Sequence, residues 1–335
     1  SKGRIRHVLR PAAQVQVLKR SEERITSRTT LPVLHLASGE RVLVTSRPSI
    51  ARPVNVDGVL RERPEGGYQW KSHRLLEEFD AMVMRDGWSR VAREITGSWI
   101  GRLSFRSEIK QQDGTVQPGQ EGLRPPQLGA LHAIGAHWSL EHQPATVVMP
   151  TGTGKTETML ATLAAFGKAP LLVVVPWDSL RTQTVHKFLT FGLLRKLKVL
   201  PEVVQNTIVG IINRRPQTIE DLELVDACNV VVVTASAIGV GTESAILDAL
   251  AQKCGALILD EAHHVPATNW SRVREAFKNV PILQFTATPF RRDGKLVDGK
   301  VIFNYPLGHA QRDGYFKPIR FEPVYEVRGA AWADQ

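Results

Sequence analysis

After residue 122, short hydrophobic runs alternate with amphipathic stretches. The runs predict strands at Thr146–Met149, Leu171–Val175, Asn229–Thr234, Ala256–Leu259 and Ile282–Thr286. The stretches between them predict helices at Thr156–Phe166, Ser179–Phe191, Ser244–Lys253 and Ser271–Lys278. Uninterrupted apolar strands that alternate with helices are typical of a parallel sheet buried on both faces. The pattern therefore predicts a doubly wound parallel sheet of the α/β class, in which ligands bind beyond the carboxyl ends of the strands.

The first 110 residues follow a different pattern. Leu31–Leu36 and Glu40–Thr45 flank an Ala-Ser-Gly turn, which predicts a β-hairpin. Apolar residues at helical spacing predict a helix over residues 72–86, with Ser72 as its N-cap and Gly87 as its C-cap. A second amphipathic helix is predicted over Trp88–Ile95. These elements amount to a smaller α+β unit.

A polar segment separates the two patterns. Gln111–Gly122 is rich in Gly and Pro and has no hydrophobic periodicity, so it is predicted to be a linker or an exposed loop. We therefore expect a smaller α+β domain over residues 1–115, the parallel-sheet domain over residues 116–304, and a connecting segment over residues 305–335.

Composition narrows the class of protein. Hydrophobic residues make up 42% of the 335 and charged residues 23%, which are ordinary values for a globular chain of about two domains. No apolar run approaches the ~20 residues that span a membrane, and no secretory signal is recognisable. Cys228 and Cys254 lack metal-binding spacing and fit a reducing compartment. We expect a cytoplasmic protein with no membrane partner.

The positive charge is concentrated near the N-terminus. The net charge is +10, and residues 1–120 carry +8 of it, from 21 Lys and Arg against 13 Asp and Glu. A basic surface of this kind can bind the phosphates of nucleic acid. A solvated basic face, or one that pairs with an acidic partner, remains an alternative.

A glycine-rich sequence, Pro-Thr-Gly-Thr-Gly-Lys-Thr over 150–156, joins a predicted strand to a predicted helix. In this setting backbone N–H groups and the helix N-terminus surround phosphate oxygens. Lys155 can reach the β- and γ-phosphates and the Thr156 hydroxyl can ligate Mg²⁺. Met149 stands where the usual pattern has its first glycine. The predicted nucleotide-binding residues of this loop are Thr151, Gly152, Thr153, Gly154, Lys155 and Thr156.

A second motif, Asp-Glu-Ala-His, follows the predicted strand at Ala256–Leu259. A carboxylate at a strand end beside the phosphate loop can hold Mg²⁺, and a second can activate water. We assign these roles to Asp260 and Glu261, and we assign sensing of the γ-phosphate to His263. His264 is interpreted as a bystander, because adjacent histidines lack the spacing of a zinc site.

The sequence Asp-Glu-Ala-His after a phosphate loop resembles the DEAH-box proteins. Together the motifs over about residues 122–320 resemble superfamily-2 helicases, and most closely the branch that includes the type III restriction Res subunit. The resemblance implies a first RecA-like motor domain that uses ATP and Mg²⁺. In such a domain, ATP hydrolysis is coupled to movement on nucleic acid or to opening of it.

The resemblance also assigns roles outside the two strong motifs. It implies that Gln127 binds the adenine edge and that Thr286 and Thr288 couple hydrolysis to the grip on nucleic acid. It implies contacts with the nucleic-acid backbone from Pro176, Ser179, Arg181 and Thr234. Arg291, Arg292 and Lys295 either contact phosphates or are solvated loop charges. Trp177 could stack on a base, although packing against the sheet is the more ordinary role.

Several functions remain open at this level. The leading prediction is a helicase or translocase, with DNA favoured over RNA by analogy with the branch. The alternative is an ATP-gated clamp or sensor that binds nucleic acid without unwinding it. A nuclease or another partner in a restriction or phage-defence system is a further hypothesis.

Residues 305–335 resemble the connection to a second RecA-like domain, which carries the arginine finger in this family. We therefore expect a fragment, or a chain that depends on a partner. Such a chain should bind ATP and Mg²⁺ and hydrolyse ATP weakly.

Overall fold

A computed structural model describes residues 3–9, 15–26, 29–47, 50–140, 143–264, 267–290 and 297–316. The strands in these ranges are β1 (Gly3–His7), β2 (Val17–Thr26), β3 (Thr29–Leu36), β4 (Arg41–Thr45), β5 (Gly58–Glu62), β6 (Tyr68–His73), β7 (Ala145–Val148), β8 (Leu171–Val175), β9 (Ile208–Ile212), β10 (Val230–Thr234), β11 (Ala256–Leu259), β12 (Ile282–Thr286) and β13 (Lys300–Asn304). The helices are α1 (Arg74–Asp86), α2 (Trp88–Gly97), α3 (Pro125–Leu140), α4 (Lys155–Phe166), α5 (Asp178–Thr190), α6 (Glu223–Asp226), α7 (Ser244–Lys253), α8 (Ala267–Ala276) and α9 (Leu307–Arg312).

The larger sheet has eight strands in the order β1-β9-β10-β8-β11-β12-β7-β13. All neighbouring strands are parallel except β1, which pairs antiparallel with β9. Every residue of β8, β9, β10 and β12 is buried, so both faces of the sheet are covered. The predicted α/β fold with a doubly wound parallel sheet is confirmed. Strands β7 and β11 both pair parallel with β12, so their carboxyl ends lie at the same edge of the sheet.

The smaller sheet has five strands in the order β2-β3-β4-β5-β6. The predicted hairpin is present, since β3 and β4 pair antiparallel with Val33 opposite Leu43. These two residues belong to a small separate core together with Val56 and Val59. This sheet is the part of the N-terminal region that has its own core.

The first helix begins two residues later than predicted. Its N-cap is His73, whose Nδ1 accepts a hydrogen bond from the Leu75 amide at 3.1 Å, so the predicted cap at Ser72 is wrong. The sequence pattern did not predict this cap, because an imidazole nitrogen accepts the hydrogen bond that a Ser, Thr, Asp or Asn side chain usually accepts at the start of a helix. The predicted C-cap is correct: Gly87 has φ 77° and donates to the Val83 carbonyl.

Helices α1 and α2 pack against the larger sheet. Phe79 and Ile95 belong to its core. The Trp99 indole donates to the Gln205 carbonyl at 2.9 Å, and Asn229 donates to the Ala92 carbonyl at 2.6 Å. The division predicted at residues 115/116 stays a prediction, and these contacts favour a boundary near the end of β6.

The polar segment over residues 111–122 is an exposed loop that doubles back on itself. Lys110 forms an antiparallel bridge with Val116, and Ser107 forms a parallel bridge with Leu123. The loop leads into α3, which ends just before β7. Across the described ranges, no helix is both long and apolar enough to cross a bilayer.

Candidate nucleotide-binding site

The phosphate loop is a tight turn between β7 and α4. Gly152 and Gly154 have φ angles of 87° and 97°, in the left-handed region that favours glycine. A Cβ atom on Gly154 would lie 2.0 Å from the Gln127 side-chain nitrogen, so a larger residue there would have to displace the Gln127 amide and adopt a strained φ angle. The Thr153 hydroxyl donates to the Pro150 carbonyl at 2.6 Å and holds the turn closed.

A cleft of about 550 Å³ opens over this turn at the carboxyl ends of β7 and β11. It brings together residues that lie more than 130 positions apart in the chain. Its predicted lining residues are Gln127, Thr151, Gly152, Gly154, Lys155, Thr156, Asp260 and Glu261.

Lys155 lies at the bottom of the cleft and is almost fully buried. Its Nζ donates to the Met149 carbonyl at 3.4 Å and lies 3.1 Å from Glu261 Oε1. The other carboxylate oxygen, Glu261 Oε2, is buried and accepts no hydrogen bond from the described residues. A buried charged acceptor without a donor calls for a water or ligand to satisfy it. The geometry suits a carboxylate that binds and polarises water.

Asp260 is buried beside Glu261 and accepts a hydrogen bond from the Glu261 amide at 2.9 Å. Burial, and then the negative charge of Glu261, raise the pKa of Asp260 to about 6, while Lys155 partly opposes this shift. Ionised Asp260 is therefore held in an unfavourable environment at neutral pH. A cation bound in the cleft would relieve that cost, because opposite charge favours the carboxylate.

We expect Asp260→Asn to stabilise the protein at pH 8. The pKa of Asp260 is raised on folding, so its ionisation destabilises the folded state as pH rises from about 4 to about 6, and the penalty persists above that range. Removing the charge should raise the free energy of unfolding at pH 8 by as much as ~3 kcal/mol more than it does at pH 4. Urea unfolding at both pH values measures the difference, with the exposed Asp248→Asn as control. A stability change that is the same at pH 4 and pH 8 would contradict the burial of a charged Asp260.

The histidine of the second motif contacts the end of β12. His263 Nδ1 is hydrogen-bonded to the Thr286 hydroxyl at 2.9 Å and lies 3.5 Å from Glu261 Oε2. The Thr286 hydroxyl donates to the Thr288 carbonyl at 2.6 Å, so it accepts from His263, which places the imidazole proton on Nδ1. The Thr286 carbonyl in turn accepts from the Met149 amide at 2.9 Å. These bonds connect the phosphate loop, the acidic motif and the predicted coupling threonines.

Gln127 lies in the wall of the cleft, and its amide is held on both sides. Its oxygen accepts from the Arg124 amide at 2.8 Å, and its nitrogen donates to the Gly154 carbonyl at 3.3 Å. The structure thus places Gln127 against the phosphate loop. Its contact with an adenine edge stays a prediction.

Three contacts around the cleft were not predicted from the sequence. Lys187 on α5 lies 2.5 Å from Glu157 on α4, and both line the cleft. Arg124 donates to the Gly152 carbonyl at 2.6 Å, and the Tyr315 hydroxyl donates to Glu108 at 2.8 Å. No local motif predicts these contacts, because each one depends on how distant elements pack.

The predicted nucleic-acid contacts lie at the carboxyl ends of β8 and β10, on the same edge of the sheet as the cleft. Ser179 is exposed and Pro176 is half-buried. Arg181 is mostly buried, donates to the Ile212 carbonyl at 3.3 Å and pairs with Asp178. Thr234 is buried, with its hydroxyl 3.2 Å from that of Ser236. All four contacts stay predictions. Arg291, Arg292 and Lys295 lie outside the described residues.

A phosphate-loop turn and an acidic strand end, joined through a histidine to a threonine motif on one sheet edge, are the arrangement of a superfamily-2 helicase domain. The sequence profile of the family described as "Type III restriction enzyme, res subunit" matches residues 120–291, just over half of the chain. The chain belongs to this family, which confirms the resemblance seen in the sequence.

Two curated relatives match part of the chain. The DNA 3'-5' translocase XPB2 of Sulfurisphaera tokodaii is 29% identical over 159 residues, covering 47% of this chain and 29% of the relative. Rad25 of Halobacterium salinarum is 27% identical over 188 residues, covering 56% of this chain and 28% of the relative. The chain thus spans less than a third of the length of both.

Two solved structures are also similar to the chain at low sequence identity. The crystal structure of T4 UvsW has a TM-score of 0.38 and 15% identity, covering 68% of this chain and 44% of UvsW. A nuclease-deletion mutant of the Type ISP restriction-modification enzyme LlaGI has a TM-score of 0.36 and 19% identity, covering 58% of this chain and 21% of that one.

Proposed function

We propose that this chain is the nucleotide-binding part of an ATP-dependent nucleic-acid helicase or translocase, with DNA as the favoured partner. The observation that supports it most strongly is the convergence of Lys155, Asp260 and Glu261 in one cleft beside the phosphate loop. A binding scaffold has no need of a buried carboxylate oxygen beside the phosphate loop that accepts no hydrogen bond from the described residues. A nucleoside triphosphatase needs one to activate water.

The residues of the cleft fit an ATP–Mg²⁺ complex. The glycine turn, the N-terminus of α4 and Lys155 would hold the phosphates. Thr156 and Asp260 would hold Mg²⁺, whose chemistry is to neutralise charge on the phosphate oxygens. Glu261 would accept a proton from the attacking water at its Oε2 atom, which lies close to His263.

The hydrogen bond between His263 and Thr286 supports a coupling role for that pair. If a change at the γ-phosphate moves Glu261 or His263, this hydrogen bond would transmit the movement to the end of β12. The Thr286 carbonyl also accepts a hydrogen bond from the Met149 amide, so the same movement would reach the phosphate loop. This is the kind of connection that a motor needs between hydrolysis and its grip on a strand.

DNA is favoured because the curated relatives are named as a DNA translocase and a DNA helicase. The net charge of +8 in residues 1–120 would attract the negatively charged phosphates of DNA. Membership of the restriction family favours a restriction or phage-defence setting in which a nuclease or another partner acts on the same DNA.

We expect the affinity of the chain for DNA to fall steeply with salt. Each phosphate that a Lys or Arg neutralises contributes about −0.9 to the slope of log affinity against log salt for duplex DNA, and about −0.7 for single strands. Fluorescence anisotropy with labelled DNA and RNA over a salt series measures the slope. A salt-independent affinity, or no binding to any nucleic acid, would contradict the proposal.

A further inference from the structure

The segment that follows β13 folds back over the phosphate loop. We call residues 305–316 the strap. At its start, the Tyr305 amide donates a hydrogen bond to the end of β7 at 2.9 Å. After α9 the chain turns at Gly314, which has a φ angle of 72°. The turn brings the Tyr315 carbonyl to 3.4 Å from the position that a Cβ atom on Gly152 would take, so the strap lies directly against the turn expected to hold phosphates.

The Tyr315 side chain is fastened at the mouth of the cleft by three residues. Its hydroxyl donates to Glu108 Oε1 at 2.8 Å. The Lys110 ammonium lies 3.7 Å from the centre of its ring, and the Arg124 guanidinium carbon lies 5.0 Å from it. Both distances are within the ~6 Å over which an aromatic ring attracts a cation. Lys110 also donates to the Asp313 carbonyl at 2.9 Å, so the backbone of the strap is held as well.

Two of these residues belong to the wall of the nucleotide cleft. Glu108 and Arg124 both line it. The Arg124 guanidinium donates to the Gly152 carbonyl at 2.6 Å and thereby holds the phosphate loop. The ring of Tyr315 therefore contacts the same guanidinium that fixes this loop.

The hydrogen bond between Tyr315 and Glu108 is retained at neutral pH. The Glu108 side chain is almost fully buried, and a buried carboxylate needs hydrogen-bond donors. Burial, and then the hydrogen bond to Glu108, raise the pKa of the Tyr315 phenol above its ordinary value. The phenol thus keeps its proton and remains a donor at neutral and mildly basic pH.

We propose that Tyr315 is a positioning residue that fastens the strap to the mouth of the nucleotide cleft, so that docking of the strap and binding of ATP favour each other. A docked strap holds Arg124 on the phosphate loop, and a loop already held in one shape loses less conformational entropy when it binds phosphates. By linkage, ATP in the cleft stabilises the docked strap by the same factor. The inference rests on the proposed function, because it takes ATP as the ligand, and it deepens it by naming the segment that ATP regulates.

Titration calorimetry of the full chain with Mg²⁺ and the non-hydrolysable ATP analogue AMP-PNP measures one direction of this linkage. Coupling between sites is typically about 5- to 150-fold, so Tyr315→Ala should weaken binding of AMP-PNP by a factor in this range. Tyr315→Phe keeps the ring beside Lys110 and Arg124 and loses only the bond to Glu108, so its loss should be smaller. An affinity that Tyr315→Ala leaves unchanged would overturn the proposal.

Tyr305 provides a matched control on the same strap. Its hydroxyl also donates to a carboxylate, that of Asp313, but this bond stays within the strap. Tyr305→Phe should leave the affinity for AMP-PNP unchanged, whereas Tyr315→Phe should lower it. Equal losses in the two variants would overturn the assignment to Tyr315, because they would show a general effect of loosening the strap. Thermal unfolding of each variant verifies that it is folded.

A double-variant cycle tests whether the hydroxyl acts through Glu108. Glu108→Ala removes the acceptor, and because Glu108 lines the cleft this change alters the affinity for AMP-PNP by itself. The further effect of Tyr315→Phe should vanish in the Glu108→Ala background, since the hydroxyl then has no carboxylate to hold. The same loss in both backgrounds would overturn the positioning role.

Hydrogen exchange of the strap measures the other direction of the linkage. In the docked strap the Tyr315 amide donates to the Ala310 carbonyl at 2.8 Å. AMP-PNP with Mg²⁺ should slow exchange in wild-type peptides that cover the strap and should leave peptides of β3 and β4 in the small sheet unchanged. In Tyr315→Ala the strap should exchange faster, and AMP-PNP should no longer slow it. Exchange of the wild-type strap that AMP-PNP does not change would overturn the linkage.

The outcomes separate this inference from the proposed function. A wild-type chain that binds AMP-PNP no more tightly than the Tyr315 variants would overturn the role of the strap and leave the nucleotide-binding site in place. A wild-type chain that does not bind AMP-PNP would contradict the proposed function itself, and this inference with it.

Discussion

Lys155→Ala is expected to abolish binding of ATP with Mg²⁺. The Lys155 ammonium is buried at the bottom of the cleft, where it is held by the Met149 carbonyl and Glu261. Removing the buried cation that would pair with the bound phosphates costs about 2–5 kcal/mol of binding free energy, which corresponds to a loss of roughly 30- to 5000-fold in affinity. We expect a loss at the upper end of this range, because the Glu261 carboxylate would then lie beside the phosphates without the Lys155 ammonium.

Titration calorimetry with ATP and Mg²⁺ measures this loss. Lys253→Ala is the control, because Lys253 pairs with Asp226 away from the cleft and its removal should leave ATP affinity unchanged. Circular dichroism of both variants checks the fold. Tight ATP binding by Lys155→Ala would refute the assignment of the phosphate loop.

Glu261→Gln is expected to keep ATP binding and to lose turnover by about 10²- to 10⁴-fold, the usual contribution of a general base. Glutamine has nearly the same shape but cannot accept the proton of the attacking water. The Met149 carbonyl still holds Lys155 in the variant, so the phosphates should find their main cation in place.

The control for this substitution is Glu157→Gln. Glu157 also lines the cleft, but its carboxylate is occupied by Lys187. Its loss should change turnover far less than the loss of Glu261. Equal turnover in wild type and Glu261→Gln would assign the base to another residue, and lost ATP binding in Glu261→Gln would assign Glu261 to nucleotide binding instead.

Local sequence patterns predicted the elements that are buried on both faces. Leu171–Val175, Ala256–Leu259 and Ile282–Thr286 have the predicted bounds, because an uninterrupted apolar run has few alternatives to a central parallel strand. The phosphate loop and acidic motif were predictable for a related reason. Their chemistry requires fixed residue types at fixed spacing beside a strand end.

Among the elements that the sequence did not predict, β9 and α3 show how packing overrides the local pattern. Strand β9 has Gly210 at its centre, and the local pattern therefore indicates an interruption of the strand. A Cβ there would lie 2.9 Å from the Cys228 sulfur and closer still to Leu224, so the glycine is needed for close packing. Helix α3 begins with two prolines and is apolar on most sides, so it shows little of the periodicity that marks a surface helix.

Contacts between distant segments had no signal in the sequence. The pairing of β1 with β9 joins positions about 200 residues apart, as does the bond between Tyr315 and Glu108. Residue types and spacing predicted the chemistry at the strand ends, but they did not predict which side chains meet across the edge.

The most direct test of the helicase proposal is ATP hydrolysis by this chain with and without single- and double-stranded DNA and RNA, beside Glu261→Gln. We expect weak turnover that DNA stimulates and that Glu261→Gln removes. Turnover that no nucleic acid changes, or that survives in Glu261→Gln, would contradict a motor that uses this site. ATP binding without any stimulated turnover would also contradict it, and would favour an ATP-gated clamp or sensor.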